Sequence, residues 1–193
     1  MIAYLTGKFA YKNTTVVYLD VNGVGYQVNI SLNTWSHIQH LSEGKLFTYL
    51  QIKEDAHTLY GFFDIQEKEM FVMLIGVSGV GAATARMMLS SMKPDEISRA
   101  ILQNNATLLE SVKGIGRKTA ERLVLELRDK VNKQSFEQNI TGKGNSLEQD
   151  ALNALVALGI SKPIAEQSIN KIIRTDSSIT HLEDLIKKAL KAI

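Results

Sequence analysis

The 193-residue chain contains no cysteine, which excludes disulfides, thiolate zinc sites, cysteine nucleophiles and iron–sulfur clusters together. That absence fits a reducing compartment. There is little excess charge of either sign: 22 basic against 20 acidic residues leave a net charge of +2, too small to draw the whole molecule onto a polyanion by its average field. Any nucleic-acid site must therefore be local. The most apolar uncharged run, Met70 to Ala85, is 16 residues long and carries three glycines, short of the roughly 20 apolar residues that a membrane span needs. Met1 to Lys8 shows no basic-then-apolar leader, so a soluble cytoplasmic protein without membrane contact is expected. Histidines stand alone at 37, 40, 57 and 181. Aromatic content is only 7%, but a hydrophobic content of 45% supplies enough Leu, Ile and Val to bury cores, which excludes disorder throughout.

What is present divides into blocks. Residues 1–63 are written in period two with β-branched and aromatic residues: Ile2 and Tyr4, then Thr14 to Leu19, then Tyr26, Val28 and Ile30 after the turn at Asn22-Gly23, then Leu46 to Ile52 and Leu59 to Phe63. Five short strands must protect their edges, and a small barrel of the oligonucleotide-binding (OB) type does so; a small open sheet is the alternative. At Asp64 the period becomes helical. Asp64-x-x-Glu67 has the form of a capping box ahead of Met70, Phe71, Leu74 and Ile75. Pro94 opens a further helix, and 117–131 a longer one with Leu123, Val124 and Leu127 on one face, so a helical domain is expected over 64–133. Residues 134–146 are polar, glycine-bearing and aperiodic, the composition of a flexible linker. Residues 147–193 carry three helical signals: Ser146-x-x-Gln149, Ser161 with Pro163, and Thr180-x-x-Glu183 ahead of Leu182, Leu185, Ile186, Ala189, Leu190 and Ile193. The fold class is α+β and multidomain.

The helical domain contains a tandem duplication. Residues 74–89, LIGVSGVGAATARMML, and 109–124, LESVKGIGRKTAERLV, align at an offset of 35, pairing Gly79 with Gly114, Gly81 with Gly116 and Thr84 with Thr119. Each copy reads as helix, glycine–hydrophobic–glycine turn, helix, with Val80 or Ile115 as the plug between helices. The turn's N–H groups, left free at the start of the next helix, form an anion pocket suited to a phosphate. This is a helix-hairpin-helix, a binder of nucleic-acid backbone; the bland alternative is that the glycines only tighten an αα-hairpin. Charge favours the binder, because residues 111–133 hold seven basic and three acidic side chains, with Lys113, Arg117, Lys118 and Arg122 around the second turn. Copy one has Ala82-Ala83 where copy two has Arg117-Lys118, so its grip would rest on backbone N–H groups, with Arg86 as a candidate helper. No G-x-x-x-x-G-K-[ST], H-E-x-x-H or G-x-S-x-G pattern occurs, so no ATP site, metal site, cofactor or catalytic residue is expected. Glu54-Asp55, between the fourth and fifth strands, is the one carboxylate pair of interest; taken alone it reads as a solvated hairpin tip.

The segment Lys53 to Phe62 (KEDAHTLYGF), the pair GVG and GIGRKTAERL, and the terminal Ala157-Leu158-Gly159-Ile160 module together resemble the RuvA family, the Holliday-junction-binding subunits of the bacterial branch-migration machine. The resemblance implies an OB-fold barrel that builds a homotetramer, able to pair into an octamer on DNA, and a junction held open and square-planar. It implies phosphate contacts at Gly79, Val80, Gly81, Gly114, Ile115, Gly116, Arg117, Lys118 and Arg122, and an acidic pin at Glu54 and Asp55 that repels strands at the junction centre. It further implies a C-terminal UBA-like three-helix module that docks the RuvB ATPase hexamer, through an apolar face formed among Leu155, Leu158, Leu185, Ile186 and Leu190. The composition of that module leaves open that these residues are simply its core. The RuvC resolvase is a further candidate partner. The expected role is non-catalytic, in recombinational DNA repair. A structure-specific nuclease and a scaffold that binds no DNA are the alternatives.

Overall fold

The computed structural model describes residues 1–141, 147–175 and 181–192. It divides into two compact units, Met1–Lys133 and Gln134–Ile193.

In the first unit, strands β1 (Tyr4–Lys12), β2 (Val16–Val21), β3 (Val24–Ile30), β4 (Glu43–Ile52) and β5 (His57–Phe62) close into a barrel in the order β1-β2-β3-β5-β4. Closure rests on β3 and β5 running parallel, with Val28 opposite Leu59, while every other pair is antiparallel. It leaves no sheet edge open. Period-two patterning places Val17, Leu19, Val28, Ile30, Leu46 and Leu59 inside. The β2–β3 turn has both Asn22 and Gly23 at positive φ, 52° and 87°, the condition for a two-residue hairpin whose twist matches its strands. One element escapes the strand reading: helix α1 (Leu32–Ile38) lies between β3 and β4. Ser31 caps it, its hydroxyl accepting from the Thr34 N–H at 3.0 Å.

The helical block follows as α2 (Ile65–Ile75), α3 (Ala82–Ser91), α4 (Pro94–Leu102), α5 (Ala106–Glu110) and α6 (Arg117–Thr141). Its core joins Phe71, Leu74, Met88, Leu89, Ile97, Ile101, Leu109, Leu123 and Leu127, all with no exposed surface. The barrel shares this core. Tyr60 and Phe62 of β5 place their rings 5.0 and 4.9 Å from that of Phe71, so α2 covers the last strand. Burying a ring of this size contributes about 2–3 kcal/mol.

Two sequence expectations change here. Helical backbone runs through Thr141, so the segment read as an aperiodic linker from 134 is helical up to that residue, and 142–146 lie outside the described residues. Polar, aperiodic composition signals only that a segment has no apolar stripe in its sequence, which does not by itself forbid helical backbone. The capping box is only half formed. Asp64 Oδ1 accepts from the Glu67 N–H at 2.7 Å, but the Glu67 carboxylate, instead of turning back to the Asp64 amide, is fully buried between the hydroxyls of Ser31 and Thr34. It thereby joins α2 to α1.

The second unit contains α7 (Leu147–Ala157), α8 (Lys162–Thr175) and α9 (Leu182–Ala192) around Ala151, Leu155, Ala165, Ile169, Leu185 and Ala189. The expected caps at Ser146 and Thr180, and the end of the α9 stripe at Ile193, lie outside the described residues. Among the described residues no helix is long and apolar enough to cross a membrane.

Candidate nucleic-acid interface

The duplication seen in the sequence is reproduced bond for bond. In copy one, Val77 N–H donates to Leu74 O (3.1 Å), Val80 N–H to Val77 O (3.0 Å) and Ala85 N–H to Gly81 O (2.9 Å). Thirty-five residues on, Val112 donates to Leu109 O (3.3 Å), Ile115 to Val112 O (3.0 Å) and Ala120 to Gly116 O (3.0 Å). Gly79 and Gly114 adopt φ of 94° and 95°, values closed to ordinary side chains, which is why the chain can reverse there within two residues. Val80 and Ile115 are each 5% exposed and plug their helix pairs.

The copies also face each other reciprocally. A Cβ placed on Gly79 would lie 3.6 Å from Thr119 Oγ1, and one on Gly114 would lie 3.9 Å from the Thr84 methyl. Thr84 and Thr119 are the equivalent residues of the repeat, so a pseudo-twofold relation sets both turns side by side. In the sequence these threonines carry no assigned task, and their identity across the two copies is the only local signal of one.

The second glycine of each turn behaves differently. Gly81 has an ordinary extended φ of −83°, Gly116 is not in the left-handed region, and a Cβ added to either meets nothing within 4 Å. Neither the backbone nor the packing asks for glycine there. Among the described residues the amides of Gly79, Gly81, Gly114 and Gly116 have no protein acceptor, and those of Ala82, Ala83, Arg117 and Lys118 open the first turns of α3 and α6, where helices leave donors unpaired. Each turn thus presents outward N–H groups at the positive end of a helix dipole.

The cations are arranged less uniformly than the charge count implies. Lys113 and Lys118 are exposed and without an acidic partner among the described residues. Arg117 lies 3.0 Å from Glu121 in an open surface pair worth little. Arg122 donates from Nη1 to the carbonyl of Ser78 at 3.2 Å, reaching across to the other copy, with Glu126 3.7 Å from its Nε. Arg86 does not face the first turn as anticipated: its Nη1 donates to Thr15 O (3.3 Å) and Asn29 Oδ1 (3.2 Å), fastening α3 to the barrel. Periodicity shows only that Arg86 is one turn into α3, not what packs beside it.

Glu54 and Asp55 are both exposed at the tip between β4 and β5, a turn closed by Lys53 N–H donating to Ala56 O at 2.9 Å. Among the described residues no group of acidic or histidine side chains is arranged to hold a metal ion.

The chain matches the model "RuvA N terminal domain" over residues 1–61, "SAM-like Helix-hairpin-helix tandem" over 71–129 and "RuvA, C-terminal domain" over 146–193. A relative from Cytophaga hutchinsonii named Holliday junction branch migration complex subunit RuvA is 47% identical, with 99% of each chain aligned. The chain belongs to the RuvA family. Relatives of the same name from Christiangramia forsetii (45% identical, all of both chains) and Flavobacterium psychrophilum (46%, 99% of both) agree.

The region matching the RuvA C-terminal domain sorts the five apolar residues expected on a partner face. Leu155 and Leu185 are fully buried and belong to the core of that unit, so they offer no surface; a periodic apolar stripe is read the same way whichever residues it turns inward. Ile186 is partly buried against that core. Leu158 and Leu190 are 64% and 44% exposed.

Proposed function

We propose that this chain is the non-catalytic DNA-binding subunit of a branch-migration complex, recognising Holliday junctions by shape and holding them open and square-planar during recombinational repair. The observation that carries this reading is the pair of second glycines. Gly81 and Gly116 meet no constraint from the protein, yet they stand beside unpaired amides, which is the arrangement expected where a phosphate oxygen must come close to backbone. Lys113, Arg117 and Lys118 add charge to the second turn. Contacts of this kind carry no base sequence, so selectivity must come from how several subunits space them. A homotetramer, paired into an octamer on DNA, would match fourfold protein symmetry to four arms.

Purified protein should bind a synthetic four-way junction more tightly than linear duplex of the same length, and log affinity should fall linearly with log salt, at about 0.9 per phosphate neutralised. Equal affinity for the two DNAs across the salt range overturns the reading.

Glu54 and Asp55 act as a central pin in this scheme, since carboxylates placed among phosphates disfavour any duplex lying across them. The double substitution Glu54→Gln with Asp55→Asn is expected to keep junction binding and to narrow the junction-to-duplex preference by about tenfold, or about 1.4 kcal/mol. Competition binding with both DNAs measures it, and an unchanged preference returns the tip to an ordinary hairpin turn. The C-terminal unit docks RuvB through the exposed Leu158 and Leu190, with the partly buried Ile186 one turn before Leu190 on α9, while RuvC is a further candidate partner of the assembled complex.

A further inference from the structure

We infer that Arg122 is a positioning residue that sets the direction of the Gly79 amide across the boundary between the two hairpin copies. The inference rests on the phosphate-binding reading of the turns. Arg122 sits one turn into α6, in copy two, and its Nη1 donates at 3.2 Å to the carbonyl of Ser78, in copy one. That carbonyl and the Gly79 N–H belong to one trans peptide plane, so they point in opposite directions. Holding the oxygen toward α6 therefore aims the N–H away from it. Because Gly79 lacks a Cβ, the 78–79 peptide would otherwise swing at little steric cost, and a swing would turn the N–H out of the phosphate site. The guanidinium also polarises the peptide, making its N–H a better donor.

The device runs in one direction only. The copy-one equivalent of Arg122 is Met87, 45% exposed and unable to donate, and among the described residues nothing donates to the carbonyl of Lys113, the counterpart of Ser78. The two turns thus depend on different means. The second has Lys113, Arg117 and Lys118 beside it and gains grip from charge. The first has alanines at 82 and 83 and gains grip from a fixed peptide orientation.

The test substitutes Arg122→Met, which copies the other half of the repeat, and Arg122→Lys, which keeps one donor of similar reach. Junction binding is measured as a function of salt with the full chain, and ¹⁵N relaxation dispersion is measured at the Gly79 and Gly114 amides without DNA. The methionine variant is expected to bind about tenfold more weakly with the slope of log affinity against log salt unchanged, and to show exchange at Gly79 but not at Gly114. The lysine variant is expected to recover to within about threefold of the parent. A slope less negative by about 0.9 for each subunit overturns the inference, because that is the loss of a direct phosphate contact; so does unaltered affinity, or a Gly79 amide as quiet as before. Should the parent protein itself fail to bind junctions, the functional reading falls, while the Gly79 amide still decides the role of Arg122.

Discussion

Replacing Gly81 and Gly116 together by alanine should leave the protein folded and remove most of its junction binding. The stability side follows from local geometry. Gly81 is the cap of α3 at φ −83° and Gly116 directly precedes α6; a methyl at either meets open space. Alanine caps a helix somewhat less well than glycine but loses less backbone freedom on folding, so the two effects offset each other and the net change should stay within about 1 kcal/mol. Binding is another matter. A methyl group over each turn would keep a phosphate from the amides it covers, and hydrogen bonds to a charged acceptor are worth about 1.5–3 kcal/mol each. A loss of at least about tenfold per turn is therefore expected. The comparison with Gly79→Ala and Gly114→Ala sharpens this, because those glycines sit at φ 94° and 95° and alanine there should destabilise the fold by about 1–3 kcal/mol. Thermal unfolding and junction titration on the two double variants should give opposite patterns. Full affinity in the alanine 81/116 variant would mean that the turns merely pack.

A second large effect is expected at Glu67, the buried carboxylate at the joint between barrel and helices. The direction of its hydrogen bonds can be traced. Ser31 Oγ accepts from the Thr34 N–H (3.0 Å) and Thr34 Oγ1 from the Phe63 N–H (3.0 Å), which leaves each hydroxyl proton to be donated to the carboxylate, Ser31 to Oε1 and Thr34 to Oε2 (2.7 Å). One side chain thus ties together α1, the end of β5 and α2. Glu67→Ala strands two buried hydroxyl donors and leaves a cavity, at a cost of about 2–4 kcal/mol. Burial, the dominant influence, pushes the Glu67 pKa above its ordinary value, against the hydroxyl bonds, which favour the ionised form. The folded state then holds a proton in a pH window where the unfolded chain has released it, so Glu67 makes stability fall as pH rises from the ordinary carboxylate range toward the raised value. Glu67→Gln should cost less than alanine and should lack that slope. Denaturant unfolding between about pH 4 and pH 8 measures both. An alanine penalty below about 1 kcal/mol, or a glutamine variant with the same slope as the parent, removes this account.

Glu67 also shows where reading a sequence stops. Asp64-x-x-Glu67 satisfies a local rule, and half of the rule holds, because the Asp64 cap involves atoms three residues apart. The other half fails because Ser31 and Thr34, more than thirty residues earlier, offer buried hydroxyls, and nothing in a local window announces them. Helix α1 has no local signature for a related reason: seven residues are too few for a periodic stripe, and its Ser31 cap and Thr34 both bind the distant Glu67. Arg86 and Arg122 look alike in the repeat as basic residues on the second helix of each copy. One turns to the barrel and the other to the opposite hairpin turn, and the choice is made by what lies across from each.

The five alternating strands and the duplicated glycine turns were legible from residue order, since each depends on neighbours at most a few positions apart or on a repeat that can be aligned with itself. Family resemblance was legible for the same reason, being carried by contiguous motifs. The barrel's parallel β3–β5 closure, the inward Leu155 and Leu185 against the outward Leu158, the unconstrained second glycines and the orientation of the Ser78 carbonyl were decided only in three dimensions. Those features depend on which distant surfaces come to face one another, and burial and hydrogen-bond direction do not exist until they do.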